Sequence, residues 1–276
     1  MRKAKDKTLK FLMSLCAAVT CLLLIGLIGY MLYRGIPGIN AKFLTTQTSY
    51  ISDSIGILPN ILNTLYLIVL VMIIVVPLGV GAAVYLTEYA SNKRISNAIG
   101  FAVETLTGIP SIIFGLVGML FFTQILGLRQ GILAGSLTLI IMVLPTVISN
   151  TKESLLAVPQ SYREGALALG SGKWHMVCTL VLPNAVDGIV TGCILAVGRV
   201  VGESAALLFT AGFGLKLLGF AEALQSSAAS LTVALYIYAS EEGKFDVAFS
   251  IAVILICITL IINLAASLVG KKVRKS

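Results

Sequence analysis

The chain has 276 residues, of which 58% are hydrophobic and only 12% charged. A soluble domain carries roughly 25% charged residues, so a water-soluble globular protein is excluded and a membrane protein with several spans is expected. The formal net charge of +8 sits mostly at the chain ends and in short loops. That distribution is a topology signal, and no nucleic-acid partner is expected from it.

About 20 apolar residues cross a hydrocarbon core of about 30 Å as a helix. Six such spans are predicted. The first covers residues 11–33, and no small-x-small cleavage site ends it, so a retained helix is expected rather than a cleaved leader. The second, 60–87, contains Pro77 and Gly79, which predict a kink. Asn60 and Asn63 at its outer end read as cap residues. The third, 99–127, contains Pro110 within "GIPS". There Glu104 reads as interfacial, and Thr107 and Ser111 flank the proline, where they either line a path or simply back-bond to the helix. The fourth covers 131–150, the fifth 184–209 and the sixth 247–269.

Two connections are long. Residues 151–183 read as helix, glycine turn, helix, with Gly170 and Gly172 ending the first helix and Pro183 punctuating the second. Residues 210–246 form an amphipathic external connection, expected to dip into the interface or touch a partner. Fourteen Lys and Arg lie in the termini and in the loops after spans two and four, against five on the other side. The asymmetry predicts that both termini are cytoplasmic. Glu88, Glu153 and Glu164 are expected to face solvent or a partner, and Asp187 to lie near the inner boundary.

The organisation that follows has three parts. Residues 1–58 form a first transmembrane helix with an external loop. Residues 59–270 form the core, with its cytoplasmic loop at 151–183. Residues 271–276 form a basic tail.

The five cysteines lie in or beside apolar runs, without C-x-x-C spacing, and His175 is the lone histidine. They read as small packing residues, and no metal site is expected. "GSGKW" at 170–174 has a Gly-Lys pair but lacks the frame of a phosphate-binding P-loop. This chain is therefore expected to bind no nucleotide or other cofactor.

The charges that stand out are Arg199 and Glu203, inside span five. An ionisable residue in a span costs about 2.5–3.5 kcal/mol on insertion scales. Four residues apart on a continuous helix, the two would share one face. Arg199 would lie roughly 22 Å along the span from Asn184, beyond the midplane. One reading is a self-neutralising ion pair. The other is an anion site, because a guanidinium stays protonated when buried and its planar fork suits tetrahedral oxyanions. Glu203 would then hold the arginine while the site is empty. It would also favour phosphate, which carries a P–OH at neutral pH, over sulfate, which carries none.

Two stretches carry a resemblance. "YREGALALG…LVLP" is similar to the EAA loop of ABC importer permeases, with Glu164, Gly165 and Ala166 in the three named positions, then Gly170, Leu182 and Pro183. Gly165 stands where alanine is usual and Leu180 where isoleucine is usual. "GRVVGESAALLFTAG" at 198–212 resembles phosphate importer permeases of the PstA type, "GIPSIIFGL" at 108–116 resembles a stretch of both PstA and PstC, and the run 144–170 resembles the approach to the family's coupling helix. Ser204 stands for the usual threonine there and Ala206 for the usual proline, changes expected to leave the helix intact.

The resemblance implies an all-α fold with six spans, that of type I, MetI-like importer permeases, in a prokaryotic cytoplasmic membrane. It implies translocation of phosphate past Arg199, Glu203 and Ser204, with a coupling helix over Glu164 to Trp174. Implied partners are a PstC-like permease, two PstB-like ATP-binding subunits and a PstS-like external binding protein. Another oxyanion (molybdate, tungstate or sulfate) and the sister PstC-type subunit stay open. A secondary transporter would usually show an inverted repeat, and an intramembrane enzyme a nucleophile–base pair or a metal set. Neither is found.

Overall fold

Apolar helices dominate the computed structural model, which describes residues 2–49, 54–90 and 92–275. Parts of the predicted N-terminal unit (1 and 50–53) and of the basic tail (276) lie outside these residues. Helix α1 is Arg2–Gly35, followed by the short α2 (Ala41–Thr45) and a hairpin of β1 (Gln47–Ser49) with β2 (Ser54–Ile57). Gln47 pairs antiparallel with Ile57. Helix α3 (Leu58–Val84) ends in a π turn, Tyr85–Tyr89. Helix α4 (Lys93–Thr107) precedes α5 (Ser111–Gly118), which runs into a second π turn, Met119–Ile125. Then come α6 (Ile132–Leu156), α7 (Gln160–Ala168) and α8 (Lys173–Met176). Helix α8 passes through a π turn at Val177–Val181 into α9 (Leu182–Gly202). The chain ends with α10 (Ala205–Thr210), α11 (Phe220–Ala223), α12 (Leu231–Tyr236), a π turn at Ile237–Glu241, and α13 (Phe245–Lys275).

Among the described residues five helical segments are long and apolar enough to span, and a bent pair would make a sixth. The predicted third span is the bent pair, so the count is five or six according to whether that pair crosses as one. Helices α4 and α5–π are bent by 101° at Gly108, Ile109 and Pro110. Proline cannot donate to the preceding turn, and it drives the residue before it out of helical space. Pro77 and Pro145, by contrast, lie inside the unbroken α3 and α6. Gly79 serves close packing: a Cβ there would sit 2.7 Å from Val147 of α6.

Span five is corrected at both ends. Its helical segment begins at Lys173 and ends at Gly202, so Pro183 does not punctuate it. The π turn before α9 carries the chain past the proline.

The core lies where α3, α6 and α9 meet, with Leu67, Val71, Val75, Leu139, Met142, Val143, Val147, Ala196 and Val200 buried together. Helix α13 packs on α9. Helix α1 leans on α13 through its C-terminal end, where Ser250 Oγ donates to the Gly35 carbonyl at 2.9 Å and Arg34 pairs with Asp246 at 3.3 Å. Leu22 and Ile25 of α1 are each 70% exposed, which only a lipid surround makes favourable.

The connection at 210–246 packs partly into the helix bundle. Ala228, Ala229, Ser230 and Leu231 are buried. Asn60 and Asn63 both donate to the Ala229 carbonyl, at 3.0 and 3.1 Å, and Thr64 Oγ1 accepts from Leu231 N–H at 2.9 Å. The two asparagines are thus not caps. They satisfy the backbone of an inserted loop, which water cannot do there.

Candidate functional site

Arg199 lies in the last turn of α9, and its Nη1 donates to Thr146 Oγ1 at 3.2 Å. Thr146 follows Pro145 on α6, so two helices of the core hold the guanidinium. Arg199 is half-buried. Among the described residues this is its one hydrogen bond, and no carboxylate pairs with it.

The predicted pairing of Arg199 with Glu203 does not form, because the helix that would align them stops between them. Glu203 is extended, with φ −82° and ψ 119°. Its buried carboxylate turns forward, and Oε1 accepts from Ala206 N–H at 2.9 Å, capping α10. Its carbonyl accepts from Thr232 Oγ1 at 2.9 Å, which ties the break to the inserted loop. The expectation that the helix runs intact through Ser204 and Ala206 is therefore overturned. The i, i+4 rule presumes a continuous helix, and a carboxylate near free backbone N–H groups makes a good cap. Ser204 lies within the break, half-buried, and its hydroxyl has no partner among the described residues.

Thr107 and Ser111 flank the other break. Thr107 Oγ1 back-bonds to the Val103 carbonyl at 2.9 Å, and Ser111 opens α5. Among the described residues neither hydrogen-bonds to Arg199. The two breaks are nevertheless neighbours. Helix α5 lies on α10, close enough that a Cβ on Gly115 would be 2.7 Å from Ala206 Cα.

The connection at 151–183 packs on the ends of α3 and α6. Helix α7 ends as predicted at Gly170, with φ +81°. Ser171 N–H bonds to the Ala166 carbonyl and Gly170 N–H to that of Leu167, both at 3.0 Å, the pattern of a glycine-terminated helix. Ala166 is buried against Ala83, Val84, Leu155, Met176 and Val177, and Leu182 packs against the same cluster. Glu164, Gly165 and Pro183 are exposed. Leu169 and Trp174 are exposed as well, at 90% and 66%.

Nothing lies within 4 Å of a Cβ built on Gly165. Gly165→Ala is therefore expected to raise amide protection over 160–168 about fivefold, the usual helix-interior gain, as read by hydrogen exchange. Lower protection would show that the glycine is required.

Glu88 is corrected. It was expected to face solvent or a partner, yet its side chain is 5% exposed and pairs with Arg163 at 2.9 Å. No periodicity links position 88 to 163. The one signal was a carboxylate close to the end of an apolar span.

A bundle of apolar spans with two broken helices and a half-buried arginine beside one break is the architecture of a membrane transport subunit. The chain belongs to the family of binding-protein-dependent transport system inner membrane components, whose model matches residues 75–275. It is a multi-pass inner-membrane transporter subunit, not an enzyme. It is 36% identical to the probable ABC transporter permease protein YqgI of Bacillus subtilis, over 99% of this chain and 98% of that one. It is 35% identical to the phosphate transport system permease protein PstA 1 of Mycobacterium tuberculosis, over 71% of this chain and 64% of that one. Among solved structures it resembles a bacterial ABC transporter that imports alginate, with a TM-score of 0.68, 16% identity and 99% coverage of both chains. It also resembles the MetNI methionine ABC transporter, with a TM-score of 0.63, 21% identity, and coverage of 79% of this chain and 94% of that one. At these identities the structural likeness speaks for the fold alone.

Proposed function

We propose that this permease translocates inorganic phosphate inward, with Arg199 as the anion contact. The observation that carries the reading is a half-buried guanidinium held by one threonine and by no carboxylate among the described residues. A permanent charge so placed is costly unless an anion visits it. The PstA relatives support phosphate as that anion. The partners would be a PstC-like permease, two PstB-like ATP-binding subunits docked on the loops around α7, and a PstS-like external phosphate-binding protein. Both termini and the α7 loop would then lie in the cytoplasm, as the Lys and Arg asymmetry requires.

The direct test is uptake of labelled phosphate by the reconstituted complex, with sulfate, molybdate and tungstate as competitors. Competition by phosphate alone supports the reading. Uptake of one of the others in its place assigns that oxyanion instead.

Glu203 contributes in two ways. One oxygen caps α10, and the other makes no hydrogen bond among the described residues. That free oxygen is the group we assign to accept the P–OH proton. Glu203→Gln keeps an acceptor for Ala206 N–H, so the break persists, but the amide that replaces the free oxygen cannot accept. Discrimination between phosphate and sulfate is expected to narrow by about tenfold, the size of one hydrogen bond to a charged group. Unchanged discrimination would leave Glu203 as a cap only.

A further inference from the structure

The Arg163 guanidinium joins three elements. Its Nε and Nη2 donate to Glu88 Oε1, at 3.0 and 2.9 Å. Its Nη1 donates to the Val158 carbonyl at 2.7 Å, and Nη2 also donates to the Leu155 carbonyl at 2.8 Å. Glu88 belongs to the π turn that closes α3, Leu155 to the last turn of α6, and Arg163 itself to α7. The two side chains are 11% and 5% exposed. A second cation from the same loop, Lys173, sits 5.0 Å from the ring centre of Tyr89, in the same π turn. Ala166 packs beneath α7 against residues of α3, α6 and the π turn before α9.

An exposed ion pair would contribute little here. This one is enclosed, and the guanidinium fork also donates to two backbone carbonyls, Leu155 in the last turn of α6 and Val158 just beyond it. Lysine could not reproduce the arrangement, because its donors radiate from a single point.

We propose that Arg163 is a positioning residue that locks α7 to the inner ends of α3 and α6, so that movement of α7 reaches the anion contact. The route is short. Leu155 and Thr146 lie on one helix, nine residues apart, or roughly 13 Å, and Thr146 holds Arg199. A push on α7 is thereby carried along α6 as a rigid element to the break in span five. The role rests on the reading of α7 as the surface on which the ATP-binding subunit docks.

The test uses the assembled complex in liposomes, with Arg163→Lys and the milder Glu88→Gln. Phosphate uptake and ATP hydrolysis are measured together, and hydrogen exchange is followed over 85–89 and 160–168 with and without ATP. The expected result is hydrolysis retained with uptake per ATP reduced about tenfold, within the range seen for coupling residues. In the unaltered complex both segments should respond to ATP together; in the variants the response at 160–168 should no longer reach 85–89. Unchanged uptake per ATP with an unchanged exchange pattern would overturn the proposal. So would a proportional fall of hydrolysis and uptake, which would make the pair part of docking rather than transmission. If the unaltered complex takes up no phosphate, the cargo assignment fails, and the exchange response still judges the clamp. If Arg163→Lys does not assemble, Glu88→Gln carries the test, since it keeps an acceptor oxygen.

Discussion

Arg199→Gln is expected to lower phosphate uptake about a hundredfold while the complex still assembles. Hydrogen bonds to a charged group contribute about 1.5–3 kcal/mol each, and a guanidinium offers an oxyanion at least two in parallel. Glutamine keeps the stem that lies between α9 and α6 but ends short of Thr146, and the charge is lost. Arg199→Lys should fall between, because it keeps the charge and loses the fork. Thr146→Val should cost less than either, since it frees the guanidinium without removing it. The measurement is initial uptake at matched amounts of assembled complex. Normal uptake by Arg199→Gln would leave the arginine a packing residue and move the path to spans three and four.

Gly115→Val is expected to do comparable harm without touching a charge. The new Cβ would lie 2.7 Å from Ala206 Cα and 3.1 Å from its carbonyl oxygen, and backbone cannot step aside as a side-chain tip can. The pieces of chain that follow the two breaks, α5 and α10, would be wedged apart. Overpacking of this kind costs about 1–3 kcal/mol, and here the strain falls on the break that carries Glu203. Gly81→Ala in α3 is the control, because no atom lies within 4 Å of its Cβ. It should unfold no earlier than the unaltered protein. Thermal unfolding of the solubilised complex, followed by uptake, checks both. Equal unfolding temperatures for the two variants would show that α5 and α10 are not in contact in the working transporter.

Both predictions depend on helix breaks, and the breaks were the hardest feature to read from residues alone. "GIPS" was visible as a proline in an apolar run, yet Pro77 and Pro145 look similar in sequence and leave their helices whole. Proline interrupts a helix only where the freed carbonyls and the changed direction find new partners. Gly108 beside Pro110, with α10 ready to receive α5, supplies them. The break after Gly202 had still less signal. Glu203 was legible as a charge that needed compensation. That the compensation is the N–H of Ala206, and not Arg199, depends on a helix end that residue spacing does not reveal.

Helix α7 was much more legible. Its termination at Gly170, its buried Ala166 and its exposed Glu164 all follow from local rules: a left-handed cap residue, a small inward residue and a polar outward one. Only the partner of Arg163 was missed.

The sequence by itself determined the solvent, the run of apolar spans, the charge asymmetry, the short helix that ends at Gly170 and the two charges worth suspecting. These follow from composition and from periodicities a few residues long, because the bilayer sets a minimum length for each apolar run and a helix repeats every turn. Only the tertiary structure decided which prolines break a helix, that Asn60 and Asn63 hold an inserted loop, that Glu203 caps α10 in place of pairing with Arg199, and that Glu88 clamps Arg163. Each of these joins residues by a hydrogen bond whose need arises only after burial. A polar group in lipid or in a packed core must find a partner wherever the fold brings one, and that distance in space is not written in the distance along the chain.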